Sequence, residues 1–148
     1  MRLLSLPTLQ RLSGGNDMSQ FDEITKYIPQ LENGEPFATI IREETCPSVI
    51  SLPVIEYTLW AKEIISAFHA ITESCEEYSM DNLLAFYDRS SFAETVLTKV
   101  NVSELDEKSV LALLAAVLHM DRWDNGTLHT FYTSGKLLEC LKRLSVFQ

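Results

Sequence analysis

The sequence predicts a predominantly α protein: a single-domain helical bundle with a small β-hairpin packed on it. Three observations carry that expectation. Apolar residues recur at helical spacing through several segments, the longest being 55–74 and the stretch from Glu107 to the "DNG" at 124–126. Two short β-branched runs adjoin near residues 37–54. A chain of 148 residues with 46% hydrophobic content is long enough to bury one core without disulfide or metal staples.

The first seventeen residues, "MRLLSLPTLQRLSGGND", stand apart. Pro7 and interspersed polar residues deny them the continuous apolar stretch of a signal peptide. Gly14, Gly15, Asn16 and Asp17 can be encoded by a purine-rich ribosome-binding sequence placed just before a start codon. The expectation is therefore a leader or disordered extension over 1–17, with Met18 as the start of a globular domain running to residue 148. Mass spectrometry of protein from the native gene tests this hypothesis, and an intact Met1 terminus contradicts it.

From Ser19, "SQFDEITKYIPQLEN" reads as a first helix with Phe21, Ile24, Ile28 and Leu31 on one face. Pro29 should kink or shorten it, and "NGEP" marks a turn. "FATIIRE" and "SVISLPV", separated by "ETCP", form the expected hairpin, with Pro53 at an edge or an end of its strand. An isolated hairpin is marginal in water, so this one must lie against a helix. "IEYTLWAKEIISAFHAITES" is a long amphipathic helix with Trp60, Ile64, Phe68 and Ile71 as its stripe. Two shorter helices are expected around Asp81 to Tyr87 and Ser91 to Lys99.

The last third is the clearest. Asp106 can cap a helix starting at Glu107, with Leu105 and Val110 as a hydrophobic staple. "SVLALLAAVL" is apolar nearly all round, which marks a central helix. "DNG" should stop it, because Asn and Gly tolerate the left-handed conformation of a helix exit. "TLHTFYT" and "KLLECLKRL" follow as helices, the latter with Leu137, Leu138, Leu141 and Leu144 inward.

Charge is uneven. Met18 to Asp106 carries sixteen acids and five bases, a balance of -11, while Glu107 to Gln148 carries four acids and five bases, a balance of +1. An acidic first part disfavours a nucleic-acid partner, since phosphates need positive potential, and fits either solubility or a basic protein partner. No window reaches the roughly 18–20 apolar residues of a membrane span, so no membrane partner is expected. Cys46, Cys75 and Cys140 are scattered and odd in number, which points to a reducing compartment and to packing roles rather than disulfides.

Chemistry-bearing patterns are few. His69 and Glu73 share a helix face near Cys75, a weak metal-ligand set. No nucleophile elbow, phosphate loop, paired-zinc spacing or dinucleotide fingerprint occurs, so no cofactor is expected and no specific case for an enzyme exists. The one dense constellation is "HMDRW" at the end of the central helix: His119, Asp121, Arg122 and Trp123, with His129 on the next helix. Asp121 and Arg122 continue faces that are otherwise apolar, and a buried charge needs a partner. Arg122 suits the negative end of a helix dipole; Asp121 does not. Two readings stay open: a charge network that ties the helix end to its surroundings, or a pocket with Arg122 as anion anchor and Asp121 or His119 as proton acceptor.

The stretch "SELDEKSVLALLAAVLHMDRWDNGTLHTFYTSGKLLECLKRL" resembles a family of small bacterial domains of unknown function. In that family a Leu/Ala-rich helix ends in an Arg-x-Asp/Glu-Arg-aromatic motif, followed by a Gly turn and two further helices. Asp121, Arg122, Trp123, Gly126 and Gly135 match it; His119 stands where the family has its first arginine. "ITKYIPQLE", the hairpin region and "LPVIEYTLWAKEIISAFH" extend the likeness over most of Met18 to Phe147. The resemblance implies a bacterial, cytoplasmic domain and names no reaction. The functional expectation is a non-catalytic interaction module binding a protein partner through its acidic surface. The alternative is a small enzyme or anion-binding protein using the helix-end pocket. The oligomeric state stays open.

Overall fold

A computed structural model describes residues 21–41, 54–123 and 126–147. The expected leader and Cys46 lie outside these residues. Among the described residues the architecture is helical, with a two-stranded antiparallel sheet.

The expected first helix is two short ones, α1 (Asp22–Thr25) and α2 (Ile28–Glu32). Pro29 explains the break. It falls in the first turn of α2, where its missing N–H costs nothing, because the first amides of a helix have no partner within it. Phe21, Ile24 and Leu31 still reach the core, as their spacing implied.

Strand β1 (Ala38–Ile41) pairs with β2 (Val54–Tyr57), from Ala38 opposite Tyr57 to Ile41 opposite Val54. The second strand was expected at 48–54; residues 48–53 lie outside the described part, and the strand is made by residues assigned above to the following helix. The physical reason is a period of two: Ile55 and Tyr57 are half-buried, while Glu56 between them is exposed. Thr58, with extended backbone, separates this strand from α3 (Leu59–Ser74), which buries Ala61, Ile64, Phe68 and Ile71.

After α3 a 3₁₀ turn (Glu76–Tyr78) leads to α4 (Met80–Arg89), whose N-cap Ser79 accepts from the Asn82 N–H at 3.3 Å. The helix expected over Ser91 to Lys99 is instead two 3₁₀ turns, Ser91–Glu94 and Leu97–Lys99. Thr95 and Val96 adopt extended ψ between them; β-branched residues lose little by leaving a helix.

The centre is α5 (Glu107–Asp121), buried continuously from Val110 to Val117. Its N-cap is as expected: Asp106 Oδ1 accepts from the Ser109 N–H at 2.9 Å. That hydrogen bonding, first from the Ser109 hydroxyl and then from its amide, holds the Asp106 carboxyl below its usual pKa. Helices α4, α6 (Thr127–Thr133) and α7 (Lys136–Val146) surround α5. Leu137, Cys140, Leu141 and Leu144 of α7 are buried, with Leu138 half-buried beside them. Arg143 donates from Nε to the Leu105 carbonyl at 2.8 Å and lies over the Phe147 ring, which ties α7 to the entry of α5. No helix among the described residues is long and apolar enough to cross a membrane.

The hairpin is fastened through Phe37. Its ring, 1% exposed, stacks on Tyr132 of α6 at 4.5 Å and meets Tyr57 and Trp60 edge-on at 5.7 and 5.3 Å. Around it, the Trp60 indole donates to the Pro36 carbonyl and the Tyr132 hydroxyl to the Glu35 carbonyl. The polar tips of both rings are thereby satisfied while their faces cover Phe37.

Candidate functional site

The end of α5 is polar, and its helical bonding runs on past Asp121. Arg122 keeps helical dihedrals, the Trp123 N–H still bonds the Met120 carbonyl, and Gly126 enters α6 with φ of +110°. A residue with a side chain would be strained there and would meet Ile55 at 3.4 Å from its Cβ. Gly126 is the N-cap of α6 yet has no side chain with which to cap. The orphan amides of that helix therefore need an acceptor from elsewhere.

Asp121 is that acceptor. Its Oδ1 takes hydrogen bonds from the Gly126 N–H at 3.0 Å, the Leu128 N–H at 3.0 Å and the Tyr57 hydroxyl at 2.8 Å. A carboxylate misplaced at the C-terminus of α5 is thus well placed at the N-terminus of α6, whose dipole favours negative charge. Burial, and then the hydrogen bond to Asp121, push the Tyr57 hydroxyl well above the usual tyrosine pKa. The group joins β2, α5 and α6 at one oxygen.

The remaining residues of the constellation are arranged differently from one another. His119, Arg122 and Trp123 are exposed, the indole by 82%. Arg122 lies beyond the last turn of α5, so it does not extend a buried face as its spacing suggested. His119, Asp121 and Arg122 do share one cavity, of about 440 Å³, with His69 of α3 and Asp81 of α4. His129, half-buried and 6.3 Å from the Tyr132 ring, opens instead onto a separate groove of about 600 Å³. That groove runs past Ile55, Val96, Met120 and Phe131, and among the described residues its lining carries no carboxylate, ammonium or guanidinium. Trp123 lines neither hollow; its backbone N–H bonds the carbonyl of Met120, which lines the groove. The five expected residues are therefore not one pocket.

Sequence reasoning missed Tyr57, His69 and Asp81 as neighbours of this helix end. Only the uncompensated dipole at Asp121 signalled that a partner existed. Among the described residues, no group of three or more His, Cys, Asp or Glu is placed to hold a metal ion. Cys140 is buried, and burial pushes its thiol pKa far up, which makes it inert packing. Cys75 is exposed rather than packed, because it follows the last residue of α3 where the chain turns outward.

The model of a family of unknown function, DUF6508, matches residues 17–148. No curated protein and no solved structure matches the chain.

Proposed function

The chain belongs to the DUF6508 family of unknown function, and we propose that it is a non-catalytic interaction module of the bacterial cytoplasm, binding a protein partner. The observation that carries this reading is Trp123, which is 82% exposed and whose N–H bonds the carbonyl of Met120, a residue that lines the groove. Met120 and Val96 on that groove are 44% and 67% exposed. Exposed Trp and Met near a concave surface are common material of protein interfaces.

Part of the surface is acidic. Residues 63–94 hold seven acids and one base, and Glu73, Glu76, Glu77, Asp81, Asp88 and Glu94 are all exposed. The partner that suits both features is a basic protein segment bearing an apolar anchor. Charge would guide its approach and the groove would hold it. Asp121 supports the non-catalytic half of the reading. Its Oδ1 already serves three donors, so its first duty is to hold the fold rather than to accept protons.

Affinity capture from the host with four baits tests this. Wild type and Arg122→Ala should retain a stoichiometric partner, while Trp123→Ala and the double variant Glu76→Lys/Glu77→Lys should lose it. Equal recovery on all four overturns the reading.

A further inference from the structure

The cavity between α3, α4 and the end of α5 has the makings of a second, chemically distinct site. At about 440 Å³ it lies within the usual range of small-molecule pockets. Its wall is apolar where Ile65, Leu84 and Leu118 line it. Its polar groups come from three different helices and include charges of opposite sign, Arg122 and Asp81. Among the described residues, neither of these forms an ion pair, although the cavity contains both. Each charge also sits at the helix end that favours it, Asp81 in the first turn of α4 and Arg122 just past the last turn of α5, so neither needs the other for its placement. The third charge on the wall, Asp121, is already committed to the N-terminus of α6 through its Oδ1.

We infer that this cavity binds a small zwitterion, an α-amino acid with an apolar side chain. Arg122 offers a fork of donors for the carboxylate, Asp81 accepts from the ammonium, and the aliphatic wall receives the side chain. His69 and His119 flank the same space and add hydrogen-bonding capacity at neutral pH. This proposal is independent of the partner-binding groove, which shares no lining residue with the cavity.

Equilibrium dialysis of the full chain against labelled L-leucine, L-methionine and L-phenylalanine tests the proposal. Saturable binding of at least one, at one site per chain, is the expected result. For the amino acid that binds, the corresponding amide lacks the carboxylate and the corresponding deaminated acid lacks the ammonium. Each should compete at least tenfold more weakly than the amino acid itself. Arg122→Ala and Asp81→Asn should each weaken binding at least tenfold, and both positions are exposed enough for the variants to fold. No saturable binding of any of the three overturns the proposal. So does equal competition by the deaminated acid, which would make this a plain anion site, or undiminished binding in Arg122→Ala, which would place the ligand elsewhere.

Discussion

The Tyr57 hydroxyl donates to Asp121 Oδ1 across 2.8 Å, joining residues 64 apart in sequence. The same oxygen caps α6 through the Gly126 and Leu128 amides. One carboxylate therefore fixes the angle at which the hairpin, the central helix and the next helix meet.

Removing that carboxylate should be costly, and the manner of removal should matter. Asp121→Ala leaves two helix-end amides and a half-buried phenol without their acceptor, for an expected loss of about 2–4 kcal/mol. Asp121→Asn keeps an acceptor oxygen in place and loses only the charge, for about 1 kcal/mol. Urea unfolding of both variants checks the order; equal losses would contradict it.

Gly126→Ala should destabilise the protein by about 1–3 kcal/mol, because residues with a Cβ rarely adopt φ of +110°. Gly34, at φ of +67° in the left-handed helical region with open space around it, should lose less when changed to Ala. Equal shifts of the two urea midpoints would contradict this.

Phe37→Ala should cost about 3–5 kcal/mol by emptying a fully buried aromatic position. Because Phe37 is the contact between the hairpin and Tyr132, the loss should be accompanied by faster hydrogen exchange in β1 and β2. Exchange that speeds up uniformly across α5 instead would contradict a local fastening role.

Stability should fall at alkaline pH. Tyr57 has a folded pKa raised above its ordinary 10.0, first by burial and then by its bond to Asp121. Tyr78, also raised by burial and then by Glu107, is pushed up to about 12. A raised folded pKa means that the native state favours the protonated phenol. Its contribution is therefore complete below pH 10 and is lost progressively as pH rises beyond it. Tyr57→Phe should flatten part of this slope, with Tyr78, Tyr27, Tyr87 and the buried Cys140 thiol, all raised by burial, supplying the remainder. An unchanged slope would show that Tyr57 does not titrate against a native hydrogen bond.

Much of the helical framework was legible because its signals are local. Asp106 and the eight apolar residues from Val110 onward specify α5 without help from the rest of the chain. The stripe of Trp60, Ile64, Phe68 and Ile71 likewise specified α3, but it begins at Trp60, and the β alternation of Ile55, Glu56 and Tyr57 just before it was absorbed into the helix. The 91–99 segment failed for the opposite reason: apolar residues occur at loosely helical intervals, while Thr95 and Val96 favour extended backbone. At the site, the helix dipole announced that Asp121 needed a partner. It could not name one, since Tyr57 comes from a distant strand and the other donors are backbone amides. His69 and Asp81 were equally hidden, because the crossing of α3 and α4 over the end of α5 leaves no mark in residue spacing.

The central structural claim is that Asp121 and Tyr57 form a clasp. A double-mutant cycle in urea, comparing wild type, Tyr57→Phe, Asp121→Ala and the double variant, tests it most directly. The account predicts that the second substitution costs less once the first is made, with a coupling of about 1–2 kcal/mol. Strictly additive losses, together with an Asp121→Ala variant as stable as wild type, would contradict it.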